Sequence, residues 1–283
     1  MNAPQRMGTG IRSATVLTVA SIAGLTMFIW PLLVRVDSDA YGNRVDAPFV
    51  FIGILPIVIV VVLAEFSEGG IDTKALAMLG VLAAINAALR PLGAGTAGIE
   101  LVFFTLVLAG RVFGAGFGFA LGCISMFASA LLTAGVGPWL PFQMLGAAWI
   151  GMGAGLLPKS VRGKREIAML VAYAVVISYA FGFLMNLTFW PFLVGVESTV
   201  TQANIAFVAG DSAVDNLHRF VVYTIVTTSA GWDTGRAITN SLAIIVLGPA
   251  VLNTLRRAAR RASYGPPPAK VTADAGIDPA QRC

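Results

Sequence analysis

The sequence predicts an all-α membrane protein, a polytopic bundle of about eight transmembrane helices with no sizeable water-soluble domain. The 283 residues are 57% hydrophobic and only 12% charged, with a mean hydropathy of +0.82. An ordinary soluble domain carries roughly 25% charged residues, so too few charges are present to solvate a soluble fold of this size. The apolar residues also form continuous runs of about 20 residues, which is the length that a helix needs to cross a bilayer.

Eight apolar runs are the predicted spans. They are Ala14–Val34, Phe49–Leu63, Thr73–Leu89, Ile99–Leu108, Val112–Thr133, Leu140–Leu157, Ile167–Trp190 and Thr234–Leu255. The first run is longer than a signal-peptide core and has no small-residue cleavage site, so we expect it to be retained. The run Ile99–Leu108 is short for a bilayer and is expected to extend further or to be partly re-entrant. The stretch Phe220–Gly231 contains several hydroxyl residues and is predicted to be an interfacial helix.

Basic residues predict the orientation of the bundle. They cluster in the loop Pro158–Glu166 and in the tail after Leu255, and Arg6 and Arg12 precede the first span. The positive-inside rule places all three regions in the cytoplasm, and eight spans put both termini and this loop on the same side. Nucleic-acid binding is not expected, because it needs basic clusters on a folded polar domain.

A polar break at Glu65–Asp72 divides the predicted spans into two groups. Residues 1–66 form an N-terminal transmembrane hairpin, and residues 73–261 form a six-helix substrate-binding core. Residues 262–283 follow as a tail with a proline run, which predicts a disordered cytoplasmic end.

Small residues recur at every fourth position in three of the spans, a pattern that lets helices approach closely in lipid. The first two stripes are Gly110, Gly114, Gly118 and Gly122 in the fifth span and Gly151 and Gly155 in the sixth. The third is a milder version with Ala77, Gly80, Ala84 and Ala88, of which the first two are three positions apart. One interpretation of all three stripes is that they are internal packing seams, where helices of this chain meet. The alternative for the third is a docking surface for another membrane subunit.

Polar residues near the predicted outer ends of the spans are the candidates for a binding site. They are Asn86, Arg90, Glu100, Gln143, Asn186 and Asn240, and Trp139 lies in the rigid turn before Gln143. Such side chains are costly in hydrocarbon, so we expect them to face the bundle interior or a water-filled cavity. Two interpretations remain open: interhelical hydrogen bonds that include an Arg90–Glu100 pair, or a polar cavity that opens outward.

Motifs for several other kinds of chemistry are missing from the sequence. There is no P-loop for ATP hydrolysis, and no His-Glu-x-x-His, Gly-x-Ser-x-Gly or intramembrane aspartate pair for hydrolysis. Two cysteines, Cys123 and Cys283, and a single histidine, His218, are too few for a metal centre or a disulfide framework. No catalytic residue, cofactor or metal is predicted.

Several local stretches carry a family resemblance. They include Ala83–Arg90, Gly98–Glu100, Gly110–Gly114, Gly137–Met144 and Trp232–Asn240. On these stretches the chain from about Thr73 to Arg261 resembles the substrate-specific S component of energy-coupling factor (ECF) vitamin transporters. The resemblance implies a six-helix module that binds a micronutrient near its outer face. It also implies docking on a transmembrane T subunit that is driven by two ATPase subunits.

The predicted function is therefore a non-enzymatic, substrate-binding subunit of an importer in the bacterial plasma membrane. The resemblance favours cobalamin or a related corrinoid, ahead of pyridoxine-related or thiamine-related vitamins. The predicted substrate-binding residues are Asn86, Arg90, Glu100, Trp139, Gln143, Asn186 and Asn240, and the family's docking face matches Ala77, Gly80 and Ala84. The hairpin Ala14–Leu63 departs from the minimal module.

Two further interpretations of function stay open. One is a membrane-embedded enzyme that acts on a lipid or isoprenoid through Glu100, Asp233 or Glu197. The other is a purely structural partner of a larger membrane complex, in which apolar residues could replace the polar ones.

Overall fold

The computed structural model describes residues 11–29, 73–93, 98–137, 139–190, 205–208 and 211–263, and these are mostly helical. The helices are α1 (Ile11–Phe28), α2 (Thr73–Leu92), α3 (Val102–Phe113), α4 (Ala115–Leu132), α5 (Leu140–Leu156), α6 (Lys164–Phe189), α7 (Ala213–Thr224), α8 (Thr234–Val246) and α9 (Gly248–Ser263). A π-helical segment, Ile225–Asp233, joins α7 to α8. The predicted second span and the predicted disordered tail lie outside the described residues, apart from the tail's first two positions.

Among the described residues, three helices are long and apolar enough to cross a bilayer. They comprise Lys74–Pro91, Ala115–Leu132 and Lys164–Phe189. A fourth crossing arises if Ala213–Val246 and Gly248–Arg261, which meet at 67°, are counted as one broken span. The predicted all-α, multi-pass bundle is confirmed, whereas the cytoplasmic placement of both termini stays a prediction.

The chain turns sharply between α3 and α4. Gly114 has a φ of 102°, a conformation open to glycine because it lacks a Cβ. A Cβ at either Gly110 or Gly118 would overlap the carbonyl oxygen of Gly151. In a straight helix these two glycines would lie about 12 Å apart, so both reach one oxygen only because the axis bends. The predicted boundary, which put Gly110 at the opening of the fifth span, is wrong: Gly110 belongs to α3.

Helices α3 and α4 pack against α5 along what we call the glycine seam, formed by Gly110 of α3, Gly118 and Gly122 of α4, and Gly151 and Gly155 of α5. Added Cβ atoms along this seam would overlap backbone atoms of the facing helix. Gly118 faces Gly151, whereas Gly122, which comes later in α4, faces Ala147, which comes earlier in α5. Helices α4 and α5 therefore run antiparallel. Close backbone approach is what small residues allow between helices in lipid. The packing interpretation is therefore confirmed for the first two stripes.

The third stripe has the opposite environment. Ala77, Gly80 and Ala84 are exposed on α2, and a Cβ at Gly80 would meet nothing within 4 Å. The other side of α2 is buried in the bundle through residues such as Leu79 and Ala83. We call the exposed stripe the small-residue face; among the described residues, nothing packs on it as an internal seam.

The added helix α1 packs against α5. The Trp149 indole Nε1 donates a hydrogen bond to Ser21 Oγ over 3.0 Å. The ring of Phe28 lies 5.2 Å from that of Phe142 and 5.3 Å from that of Trp149, measured between centroids. Burying Phe28 among these rings anchors α1 to the core. The small-residue face of α2 stays exposed with α1 in place.

The last part of the bundle differs from its predicted boundaries. Helix α7, the π-helical segment and α8 form one continuous helical run, which Ser212 caps by accepting a hydrogen bond from the Asp215 N–H over 3.1 Å. The predicted separate interfacial helix Phe220–Gly231 is therefore wrong, because it is the middle of this run. The predicted span Thr234–Leu255 is likewise broken, since the axis bends by 67° between α8 and α9.

Candidate functional site

Most of the polar residues predicted for a site lie at one end of the bundle. The end of α2 meets the start of α5 there, because Arg90 Nη2 donates to Gln143 Oε1 over 2.7 Å. Glu100, which precedes α3, contacts Arg236 and Asn240 near the start of α8. Three helix termini thus converge beside the middle of the continuous α7–α8 run, and each element brings polar groups that are costly to place in hydrocarbon.

The predicted Arg90–Glu100 ion pair is wrong. The carboxylate of Glu100 accepts from Arg236 Nε over 2.8 Å instead. Glu100 is near enough to attract Arg90 electrostatically, but the hydrogen-bond partner of the Arg90 guanidinium is the amide of Gln143. Within the described part of the chain, Arg90 forms no ion pair.

Arg236 is the most heavily bonded cation at this end. Besides Glu100, it donates from Nη1 to Asp233 Oδ1 over 3.0 Å. Its guanidinium also lies over the rings of Phe103 and Phe181, at 5.3 Å and 5.2 Å from their centroids. Two carboxylates and two aromatic faces hold this cation in place, as the planar, weakly hydrated guanidinium allows.

The same bonds bear on the alternative of a membrane enzyme. Asp233 is fully buried and also accepts from Ser229 Oγ over 3.0 Å. Asp233 and Glu100 share Arg236, so each is held as a charge partner and neither is a free acid or base. The third candidate, Glu197, lies outside the described residues.

Asn240 holds the start of α3. Its Oδ1 accepts from the Phe104 N–H over 2.7 Å, and its Nδ2 donates to the carbonyls of Glu100 and Arg236 over 2.7 and 2.9 Å. The Phe104 N–H belongs to the first turn of the helix, where backbone donors have no partner within the helix. The fully buried amide is therefore engaged inside the protein, and a ligand contact by Asn240 stays a prediction.

Asn86 lies one turn deeper than Arg90 on α2. Its Nδ2 donates to Ser125 Oγ of α4 over 2.9 Å. Two buried polar atoms nearby have no partner, Asn86 Oδ1 and Ser129 Oγ. Helices α2 and α4 end at the same side of the bundle, so Ser129, one turn beyond Ser125, lies at the level of Arg90. Sequence reasoning missed both serines, although hydroxyls four residues apart on an apolar helix are a readable signal.

The remaining predicted residues lie at the rim of this end. Asn186 Nδ2 donates to Thr228 Oγ1 in the π-helical segment over 2.6 Å. Segments of π-helix are rare and often occur at functional sites. Trp139 is 44% exposed, and its indole Nε1 donates back to the Gly135 carbonyl over 3.3 Å. The structure therefore places Trp139 on the turn before α5 rather than inside the bundle.

Two further aromatic residues near this end, Trp190 and Phe142, are packed inside the protein. Trp190 is 1% exposed and packs on Phe207 and Phe220, and its Nε1 donates to the Ile205 carbonyl. Phe142 packs on the α1 helix, as described above. Neither ring is exposed for a ligand to stack on.

The opposite end of the bundle carries an ionic network that sequence reasoning missed. Glu166 Oε1 accepts from Arg111 Nε over 2.7 Å and from Arg256 Nη2 over 2.6 Å. Arg111 also donates to the carbonyls of Leu157, Pro158 and Val161. In the sequence Arg111 is indistinguishable from ordinary juxtamembrane charge, so nothing in the pattern pairs it with Glu166. This end contains the basic loop, and the positive-inside rule assigns it to the cytoplasm.

A family model describes the chain over most of this architecture. The model for the ECF transporter substrate-specific component matches residues 74–257, well over half of the chain. The chain belongs to this family. It is thus a multi-pass membrane protein. As an S component, it is the substrate-binding part of an ECF transporter and not an enzyme. The matched residues begin in α2 and end in α9, inside the predicted core of residues 73–261, so α1 is outside the match. Searches of curated proteins and of solved structures gave no significant match.

Proposed function

We propose that this S component captures a vitamin or related micronutrient at the polar end of the bundle and that this end faces the outside of a bacterial plasma membrane. The observation that carries the proposal is the convergence of Arg90, Glu100, Gln143 and Asn186 at the end opposite the basic loop. If the basic end is cytoplasmic, the polar end opens outward, where an importer meets its substrate.

The polar residues divide into two roles in this proposal. Arg90, Gln143 and Glu100 are partly exposed and retain unused hydrogen-bonding capacity, so we assign them, with Asn186 and Trp139, to ligand contact. A second group is buried deeper, and its members bond mainly to other parts of the protein. Asn86 and Asn240 belong to that group, and we assign them to the floor of the site.

We further propose that transport depends on a T subunit and two ATPase subunits. The sequence has no P-loop, so energy from ATP has to come from another chain. The small-residue face, formed by Ala77, Gly80 and Ala84, is exposed and flat enough for a partner helix to approach. On the family resemblance, the whole module then reorients in the membrane to release its ligand inward.

The ligand itself is the first thing to measure. Protein purified gently in mild detergent should retain a stoichiometric small molecule, which native mass spectrometry detects. On the family resemblance we favour cobalamin or another corrinoid. Isothermal titration with the identified compound should then give saturable binding to the S component alone. A preparation that retains no ligand and binds none in a broad micronutrient screen contradicts the proposal.

The partner proposal has its own experiment. The S component, co-expressed with a T subunit and two ATPases from the same source, should co-purify with them and support ATP-dependent uptake in liposomes. The S component alone should bind ligand without pumping. Turnover of a lipid or isoprenoid by the purified chain would favour an enzyme instead.

A further inference from the structure

The charges at the polar end are distributed unevenly. Arg236 binds two carboxylates, Glu100 and Asp233, whereas Arg90 is bonded to the neutral amide of Gln143. Each of the two arginines is only partly exposed. A cation at membrane depth is normally paired, because an uncompensated charge there is costly. Arg90 therefore stands out among the described residues of this end.

From this imbalance we infer that the captured micronutrient carries an anionic group, a carboxylate or a phosphate, that binds Arg90. The inference rests on the proposed function, and it names the chemical class of the substrate. A guanidinium has five N–H donors in a planar fork that matches carboxylate and phosphate oxygens. Gln143 Oε1 uses one Nη2 donor and orients the side chain, which leaves further donors for an anion.

A second observation supports an anion at this level. Ser129 Oγ is fully buried and has no hydrogen-bond partner. It lies on the face of α4 that meets α2 through the Asn86–Ser125 bond, one turn further toward the end where Arg90 lies. An unsatisfied hydroxyl in such a place is costly unless something else pairs with it. In the inferred complex, a ligand oxygen bound at this level would be the acceptor for the Ser129 hydroxyl.

Binding to matched pairs of compounds tests this inference directly. Each pair differs chiefly in the anionic group: nicotinate and nicotinamide, pyridoxal phosphate and pyridoxal, thiamine monophosphate and thiamine, pantothenate and pantothenol. A side-chain monocarboxylic acid of cobalamin, paired with cobalamin, covers the corrinoids. In the pair that binds, the anionic member should bind roughly 10- to 100-fold more tightly, the range for a hydrogen-bonded charge pair.

Variants attribute this preference to the arginine. Arg90→Gln should remove the preference for the anionic member, and Arg90→Lys should restore part of it because the positive charge returns. Arg162→Gln, which removes an exposed arginine from the loop at the opposite end, is the matched control and should leave binding unchanged. The comparison of paired compounds uses the wild-type protein. It therefore tests whether the substrate carries an anionic group even if Arg90→Gln fails to fold.

Anionic lipid headgroups are the other source of such a group near a membrane surface. Native mass spectrometry in neutral detergent, with and without added phosphatidylglycerol, separates the two. Arg90-dependent retention of phosphatidylglycerol without any preference in the compound pairs overturns the inference. Equal or tighter binding of the neutral member also overturns it but leaves the proposed function standing. If no compound of any pair binds and none is retained on purification, both fail together.

Discussion

The glycine seam and the small-residue face present the same sequence pattern in opposite environments. In the seam, Gly118 and Gly151 lie so close that an added Cβ on either would overlap the backbone of the other helix. On the small-residue face, a Cβ at Gly80 meets nothing within 4 Å. One stripe is occupied by the bundle itself, and the other is left uncovered by the part of the chain that the structure describes. A small-residue repeat therefore predicts that something packs closely, but not whether that partner belongs to the same chain.

The largest expected effect is at the seam. Gly118→Leu places a branched side chain where even a methyl group overlaps the Gly151 carbonyl, so α4 and α5 cannot approach. We expect a loss of more than about 3 kcal/mol of stability, beyond ordinary overpacking because the obstacle is backbone. Size-exclusion chromatography of the detergent-solubilised protein should show no monodisperse peak. A variant that elutes and unfolds like the wild type would show that close packing at the glycine seam is not needed for stability.

A smaller change at the same position gives a graded effect. Gly118→Ala should lower stability by about 1–3 kcal/mol, since the helices have to separate by roughly 1 Å before a Cβ clears the Gly151 carbonyl oxygen. The measurement is the thermal unfolding midpoint in one detergent. Gly80→Ala is the matched control, because it makes the identical substitution on the exposed face. Equal shifts in the two variants would show that packing does not distinguish the two stripes.

On the small-residue face the expected effect is on assembly and not on folding. Gly80→Leu should leave the unfolding midpoint near that of the wild type but reduce co-purified T subunit by about tenfold or more, because close helix approach is lost. Ala172→Leu, a small-to-large change at an exposed position of α6, serves as the control and should keep the T subunit. Retained assembly in Gly80→Leu would assign docking to another surface.

The smallest expected effect is that of Gly80→Ala by itself. With no neighbour to displace, and because alanine is the better helix former, it should match or exceed the stability of the wild type by up to about 1 kcal/mol. Ligand affinity should also be unchanged, since Gly80 lies about three helical turns from Arg90 on α2. A large loss of stability would mean that residues outside the described ranges cover this face.

The candidate site could be predicted only in part. Individual polar residues such as Arg90 and Gln143 stand out in the sequence, because each interrupts an apolar span. Their hydrogen-bond partners could not be predicted from the sequence. Glu100 is bonded to Arg236, which is 136 positions further along the chain, and not to Arg90. Polar side chains choose partners by distance and direction after the helices have packed, and one-dimensional spacing contains neither.

The sequence by itself determined that this chain is an all-α, multi-pass membrane protein with an S-component-like core. The reason is that composition and the length of apolar runs decide the solvent, and lipid then requires helices. The tertiary structure alone decided that Gly114 ends α3, that Glu166 pairs with Arg111, and that the glycine seam is buried while the face around Gly80 is not. Each of these depends on which helix surfaces meet, and that is a property of the packed bundle rather than of any one span.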